Sequence, residues 1–439
     1  MKKYSKYILF FIAALSVSSC DDYLDVTPIG KVIPETLPPF RAVLTTGYST
    51  YPQHKSLTEV RSDELTMNEF SDDFIYYKDI FIWRDANPDK ITTAFQYQNL
   101  YSVIFYTNVL INEASKKVET SAERDQLIGE AYALRAMAYF DLVNLFAKPY
   151  NAATAASDKA VPLALEIDLE QAFIPQTVEV IYNQIISDTN EAEKLLNVTS
   201  QPKGLNYRFS KASLYSLESR IYLYQKQWQK SLDAANKALA INNNLVNLNA
   251  TKVLANRYDG VESILALENP FINSLKAASY ASSDLIATYN KTTDLRYSLY
   301  FLASGSRFRI QKGGEDAQKC SFRTSELYLT KAETLLQLNN LADAKTTVLD
   351  FAAKRYTQAG LTQVATTVNA MNATDLATFI YDERRREFAA EGHRWFDLRR
   401  TSQKQIVHTV NGENYTLIQN DPRYTIIYPG NARLNNPNL

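Results

Sequence analysis

Three glutamates, Glu383, Glu387 and Glu391, recur every four residues in the stretch IYDERRREFAAEGHRWFDLRR (380–400). On a helix that spacing places them near one face, with neighbouring Cβ atoms about 6 Å apart. Two carboxylates about 5 to 9 Å apart can run glycoside hydrolysis. The same stretch carries Arg384, Arg385, Arg386, Arg394, Arg399 and Arg400, and Ile380 shares the side of Glu387 and Glu391. That side is expected to turn inward. Buried carboxylates held by guanidinium groups stay ionised and serve architecture, so Glu383, Glu387, Glu391 and Arg394 are expected to form a structural ion-pair network and not a catalytic pair. His54, His393 and His408 are dispersed, without an H-E-x-x-H motif or a Cys/His cluster, and no metal centre is expected. Neither G-x-x-x-x-G-K nor G-x-G-x-x-G occurs, so no phosphate or dinucleotide cofactor is implied. Cys320 lies between Lys319 and Arg323, but no histidine is near it in sequence to serve as a base.

A different chemistry is legible in FIWRDANPDK (81–90), where Trp83, Arg84, Asp85 and Asn87 crowd a polar loop ended by Pro88. Flat aromatic faces cover the C–H faces of a pyranose while amides, acids and guanidinium groups meet its hydroxyls. Trp83, Arg84 and Asn87, with Tyr76 just upstream, are therefore candidate ligand contacts. Removing the Trp83 ring is expected to weaken saccharide binding with little loss of stability. A second stretch offers Tyr280, Tyr289, Tyr297 and Tyr300, with Asn290 and Asp294 as a polar rim. Tyr132, Tyr139, Tyr215, Tyr222 and Trp395 fall inside helical patterns and are assigned to the core.

The elements that must position these residues are mostly helices. The chain has 439 residues, 46% of them hydrophobic, with only 12 Gly and 14 Pro, too few turn residues for an all-β sandwich, barrel or propeller. Leu127, Ala131, Leu134, Ala138, Leu142 and Leu145 step by three or four, as an amphipathic helix requires. Residues 178–196 repeat the pattern, with Thr177 as N-cap. Segments 208–241 and 325–356 each split into two helical halves around a polar break, Gln225-Lys226-Gln227 and Asn339-Asn340. Tyr215, Ser219, Tyr222, Trp228, Ser231, Ala235 and Ala238 sit at the large and small positions of a tetratricopeptide repeat, although Glu218 and Lys226 stand where such repeats often have Leu and Gly. The expected fold is all-α, a superhelix of tetratricopeptide-like helix pairs at about 127–196, 208–241, 325–356 and 374–400. Loop-rich insertions at about 60–100 and 250–320 interrupt it.

Residues 1–19 hold Lys2, Lys3 and Lys6 ahead of the apolar run Ile8–Leu15 and end in Val17-Ser18-Ser19 before Cys20. The run is too short to span a bilayer, which takes roughly 20 apolar residues, and reads as a signal peptide. V-S-S-C resembles the lipobox of bacterial lipoproteins, so Cys20 is the expected lipid attachment, followed by a tether to residue 37 and one domain over 38–439. Removing the signal leaves 44 Lys+Arg against 48 Asp+Glu, a net charge of −4. That balance argues against nucleic-acid binding. With Cys20 lipidated, Cys320 has no disulfide partner within the chain.

Four motifs in order, CDDYLDVTP (20–28), GEAYALRAMAYFDLVNLFAKPY (129–150), RTSELYLTKAETLLQLNNLADA (323–344) and the 380–400 stretch, resemble the SusD/RagB family of Bacteroidetes outer-membrane lipoproteins. Ala147 stands where that family often has Gly, and the chain is short for it. The resemblance implies a non-enzymatic, cofactor-free surface receptor. Such a receptor sits as a lid on a SusC-like TonB-dependent transporter, captures oligosaccharide, or peptide in some members, and is lipid-anchored at the outer membrane. Trp83 and Asn87 match by type and approximate place a loop that members use for glycan contact.

Overall fold

The computed structural model describes residues 34–167 and 172–439. The signal peptide, Cys20 and most of the tether lie outside the described residues.

Helix boundaries follow local chemistry. In the first part of the chain come α1 (Leu37–Thr50), α2 (His54–Arg61), α3 (Phe74–Phe81), α4 (Tyr97–Val109), α5 (Ala122–Phe146) and α6 (Val178–Leu195). Ser121 caps α5 by accepting from the Arg124 amide, and Thr177 caps α6 by accepting from Val180. The second part holds α7 (Lys211–Tyr224), α8 (Trp228–Ile241), α9 (Thr324–Gln337), α10 (Leu341–Ala352), α11 (Gln358–Ala370), α12 (Ala373–Glu387) and α13 (Arg394–Arg400). The two polar breaks are tight turns: Lys226 and Asn339 take φ of +59° and +61°. Glycine reaches that left-handed region without cost, and Lys226 occupies the position where repeats often place it.

Helices pack as antiparallel neighbours, α5 with α6, α7 with α8 and α9 with α10, and the pairs stack through α6 on α7 and α8 on α9. The close approach of α5 to α6 depends on Gly129, whose added Cβ would lie 3.0 Å from the Leu196 amide nitrogen. Past α10, α12 packs on α9, whereas α13 turns away to lie against α2. Tyr139 and Trp395 are fully buried. Tyr132, Tyr215 and Tyr222, expected in the core, are only partly buried and lie beneath Arg135, Lys237 and Lys230. Long cationic stems cover the rings that the helix pattern alone would place inside.

The two insertions are not separate loops. β1 (Leu65–Met67) from the first joins β2 (Ser279–Ala281), β3 (Phe301–Ser304) and β4 (Arg307–Ile310) from the second in one antiparallel sheet of order β1-β2-β4-β3. Leu65 pairs with Ala281, and Phe301 with Ile310. A hairpin of β5 (Ile406–Val410) and β6 (Glu413–Leu417) lies beside β1. It turns at Asn411-Gly412, both at positive φ, the sequence that two-residue hairpin turns favour.

Candidate functional site

The glutamates lie in the interior. Helix α12 ends at Glu387, and the chain reverses through Ala390 (φ +58°) and Gly392 (φ +75°), so Glu391 is delivered by a turn and not by the helix face that the spacing suggested. Glu387 accepts from Arg355 Nε at 2.9 Å, Arg323 Nη1 at 2.6 Å and Arg296 Nη1 at 3.1 Å. Glu383 meets Arg296 at 2.6 Å, Arg386 at 2.7 Å and the Tyr356 hydroxyl at 2.9 Å. Glu391 binds Arg323 at 2.8 Å and Lys312, and Glu262 joins through Arg355 at 2.7 Å. Burial works to raise the Glu383 carboxyl, but Arg296 and Arg386 outweigh it and hold it down at about 2. These carboxylates are 0 to 2% exposed. With every acid engaged by a cation and no route to solvent, the cluster has the form of a brace between chain segments.

Arg394 does not belong to this cluster. It forms two bonds with Asp63, at 2.7 and 2.8 Å, because α13 lies against the segment after α2. Glu262, Arg296, Arg323 and Arg355 were missed as members. Partners brought together across thirty or more residues leave no periodic trace, and only Arg323 lay inside a recognisable motif. Sequence also missed that His54 Nε2 lies 3.3 Å from Asp141 Oδ2 and 4.0 Å from Glu268 Oε1. These three side chains could supply metal ligands, but Lys55, 2.6 Å from Glu268, already neutralises one of the two carboxylates.

At the end of α3 the chain reverses at Trp83, whose φ is +55°. The Arg84 amide reaches back to Asp79 O at 2.8 Å. The reversal sends the Trp83 ring inward. It is 2% exposed, donates from Nε1 to Arg61 O at 3.1 Å, and stacks on His408 with centroids 4.2 Å apart. His408 stacks in turn on Phe81 at 3.8 Å. Asp85 is tied to Arg61 by bonds of 2.6 and 2.9 Å. Trp83 is thus a clamp for the loop, and its ring offers no face to a ligand, contrary to the expectation.

What the loop does present is a concavity of about 430 Å³ against the β5–β6 hairpin, lined by Lys78, Ile82, Trp83, Arg84, Tyr415 and Arg423. Tyr76, Arg84 and Asn87 are exposed on the same loop region. Tyr415 and Arg423, from the last part of the chain, carried no signal in sequence because only tertiary folding brings the hairpin here. The second insertion contributes less than expected. Tyr289 is buried and donates to Arg386 O at 2.6 Å. The Asn290 side chain accepts from the Thr292 and Thr293 amides at 3.1 and 3.2 Å, so it shapes its own turn. Tyr280 is buried beneath Arg307 and Arg309, with their guanidinium carbons 5.1 and 4.9 Å from its ring centre. Tyr300 and Asp294 are buried as well.

Three other hollows are as large or larger, the smallest of about 450 Å³ beside Trp228 and Tyr381. One of about 1010 Å³ lies between the end of α5 and the chain after α13, and Arg399 within it is spent on the backbone carbonyls of Asn144, Ala147 and Tyr424. Another, of about 460 Å³, opens at the start of α4 beside Tyr97 and Tyr101. The loop pocket differs in setting the half-buried Tyr415 beside Lys78 and Arg84 with no acid in its lining, whereas Asp158 and Asp421 line the largest of the other three and Glu333 the smallest.

A stack of tetratricopeptide-like helix pairs, with a polar pocket built on its insertions, defines a helical-repeat binding scaffold. No helix among the described residues is long and apolar enough to cross a membrane. The chain belongs to the SusD family, which its residues 201–437 match, and residues 22–223 match a family described as "Starch-binding associating with outer membrane". SusD-like protein P38 of Formosa agariphila is 24% identical, with 94% of this chain and 95% of that one aligned. A SusD superfamily protein from Bacteroides thetaiotaomicron shares the fold with a TM-score of 0.77 at 20% identity, covering 92% of this chain and 98% of that one. A laminarin binding SusD-like protein does so at 0.62 and 20% identity, covering 84% and 92%.

Proposed function

We propose that this chain is a lipid-anchored, non-enzymatic receptor that captures oligosaccharide at the outer-membrane surface and passes it to a SusC-like TonB-dependent transporter. The observation that carries the reading is the loop pocket, where a half-buried tyrosine face stands among unsatisfied donors on a rigidly clamped loop. Stacking and hydroxyl recognition need that combination. The match of residues 22–223 to a family described as "Starch-binding associating with outer membrane" supports it. The lipobox-like V-S-S-C supports the anchor on Cys20. Binding by a single such site is expected in the micromolar to millimolar range, roughly −8 to −4 kcal/mol, because sugar hydroxyls trade water bonds for protein bonds at little net gain.

The decisive experiment is a glycan array run beside a peptide library, with gentle detergent extraction of the native lipoprotein in parallel. Saccharide binding without product formation, and recovery with a large outer-membrane barrel, are the expected outcomes. Peptide-only binding, or repeated isolation as a free monomer, counts against capture and partnership respectively.

A further inference from the structure

Charge around the loop pocket is arranged unevenly. The chain as a whole is balanced, with 47 Lys+Arg against 48 Asp+Glu. Yet Lys78, Arg84 and Arg423 line the pocket, and no aspartate or glutamate does. The nearby acids are engaged behind the wall. Asp79 accepts from the Asp89 amide at 2.6 Å and the Thr92 hydroxyl at 3.2 Å, and Asp85 is taken by both bonds from Arg61. Asp421 is held by Arg423 at 2.7 Å, a bond that lowers its carboxyl to about 2, and Glu413 accepts the Tyr415 hydroxyl at 2.9 Å.

The cations are less committed. The Lys78 ammonium makes no hydrogen bond or ion pair among the described residues. Arg84 touches Asp79 only at 3.5 Å, with its side chain 53% exposed. A wall of donors with one aromatic face suits a sugar ring that itself carries negative charge, since a guanidinium fork meets a carboxylate or sulfate with paired, charge-assisted bonds. The neighbouring sheet repeats the theme. Arg307 and Arg309 alternate on β4 over Tyr280 without ion pairs among the described residues, and Lys291 lies over Tyr297 at 5.7 Å.

We propose that the ligand is an anionic saccharide, with a ring face on Tyr415 and its carboxylate or sulfate groups on Arg84 and Lys78. This inference rests on the saccharide-capture reading and narrows it to a chemical class. The test is calorimetric titration of the full chain in detergent micelles with oligogalacturonate, sulfated chondroitin oligosaccharide and neutral laminari-oligosaccharide of equal length. Each is measured at low salt and at several hundred millimolar NaCl. At least one acidic ligand is expected to bind about tenfold more tightly than the neutral one at low salt, and to lose most of that advantage when the charges are screened. Arg84→Gln and Lys78→Gln are each expected to cost the acidic ligand about fivefold, on the scale of one solvent-exposed ion pair, and the neutral ligand a smaller factor, since it meets these side chains only through uncharged hydroxyls.

Which acidic arm responds distinguishes uronate from sulfate. Equal, salt-insensitive affinity for neutral and acidic ligands overturns the anionic class while leaving capture standing. Acidic binding untouched by both substitutions overturns the site, and failure of every saccharide to bind removes the capture reading itself.

Discussion

At the residue scale, Trp83 shows how a side chain's type can mislead about its role. An aromatic in a polar, Asp- and Asn-rich loop has the composition of a ligand contact, but whether its ring points outward is decided by one backbone angle and by a partner, His408, 325 residues away. Because the ring is buried, stacked on His408 and bonded through Nε1, Trp83→Ala is expected to cost about 3–5 kcal/mol of stability, as large-to-small core changes do. The half-buried Tyr415 is expected to behave oppositely. Its removal should shift the denaturation midpoint by less than about 0.5 kcal/mol and weaken saccharide binding by roughly the 1 kcal/mol of an aromatic stacking contact. Chemical denaturation and calorimetry on the two variants, measured together, test the exchange of roles. A stable Trp83→Ala protein with lost binding would restore the tryptophan as a contact.

At the scale of elements, the helix pairs were legible because burial on one face imposes a period on the chain. The polar breaks at 225–227 and 339–340 and the Thr177 cap fall where the structure has turns and a helix start. The sheet joining the two insertions was not legible, since its strands are three or four residues long and β1 pairs with β2 across more than two hundred residues of sequence. Glu218 marks a point where the repeat pattern and the residue disagree: it stands at a position that favours leucine. Burial, reinforced by the charge of Glu193 and opposed by Lys237, raises its carboxyl to about 8. An acid raised above its unfolded value of 4.5 contributes its stability fully below that pH, and loses it as pH rises through 8. The wild-type protein is therefore expected to lose on the order of 4 kcal/mol between pH 5 and pH 8.5 from this group. Glu218→Gln should abolish that loss, being the more stable form at pH 8.5 and nearly equal to wild type at pH 5. Melting curves across that range check it, and a parallel decline in the variant would assign the pH dependence elsewhere.

At the scale of the molecule, the ion-pair cluster connects parts that the helix repeat alone would leave loosely joined. Arg355, from just after α10, binds Val246 O at 2.6 Å, Glu262 at 2.7 Å and Glu387 at 2.9 Å. One guanidinium thereby links the third helix pair, the edge of the second insertion and the end of α12. Arg296 from inside the insertion and Arg323 from just past its end make the same kind of connection. Deleting one partner strands buried charge, at a cost of about 3–5 kcal/mol, so Arg355→Met is expected to lower the melting temperature sharply.

The acids of the cluster set a second, independent expectation. With Glu383 held at about 2 against 4.5 when unfolded, and Glu387 and Glu391 also lowered by their cations against the pull of burial, their stabilisation is present above about 4.5 and drains away as pH falls toward 2. If the cluster makes scaffold and insertions one cooperative unit, acid unfolding should be a single transition. The helix signal in far-UV circular dichroism and the fluorescence of Trp83, which reports the insertion loop, should fall together below pH 4. A Trp228→Phe, Trp395→Phe background isolates that fluorescence. Separate midpoints for the two probes would mean that the insertions melt on their own, and the brace would then be local to the helices it touches.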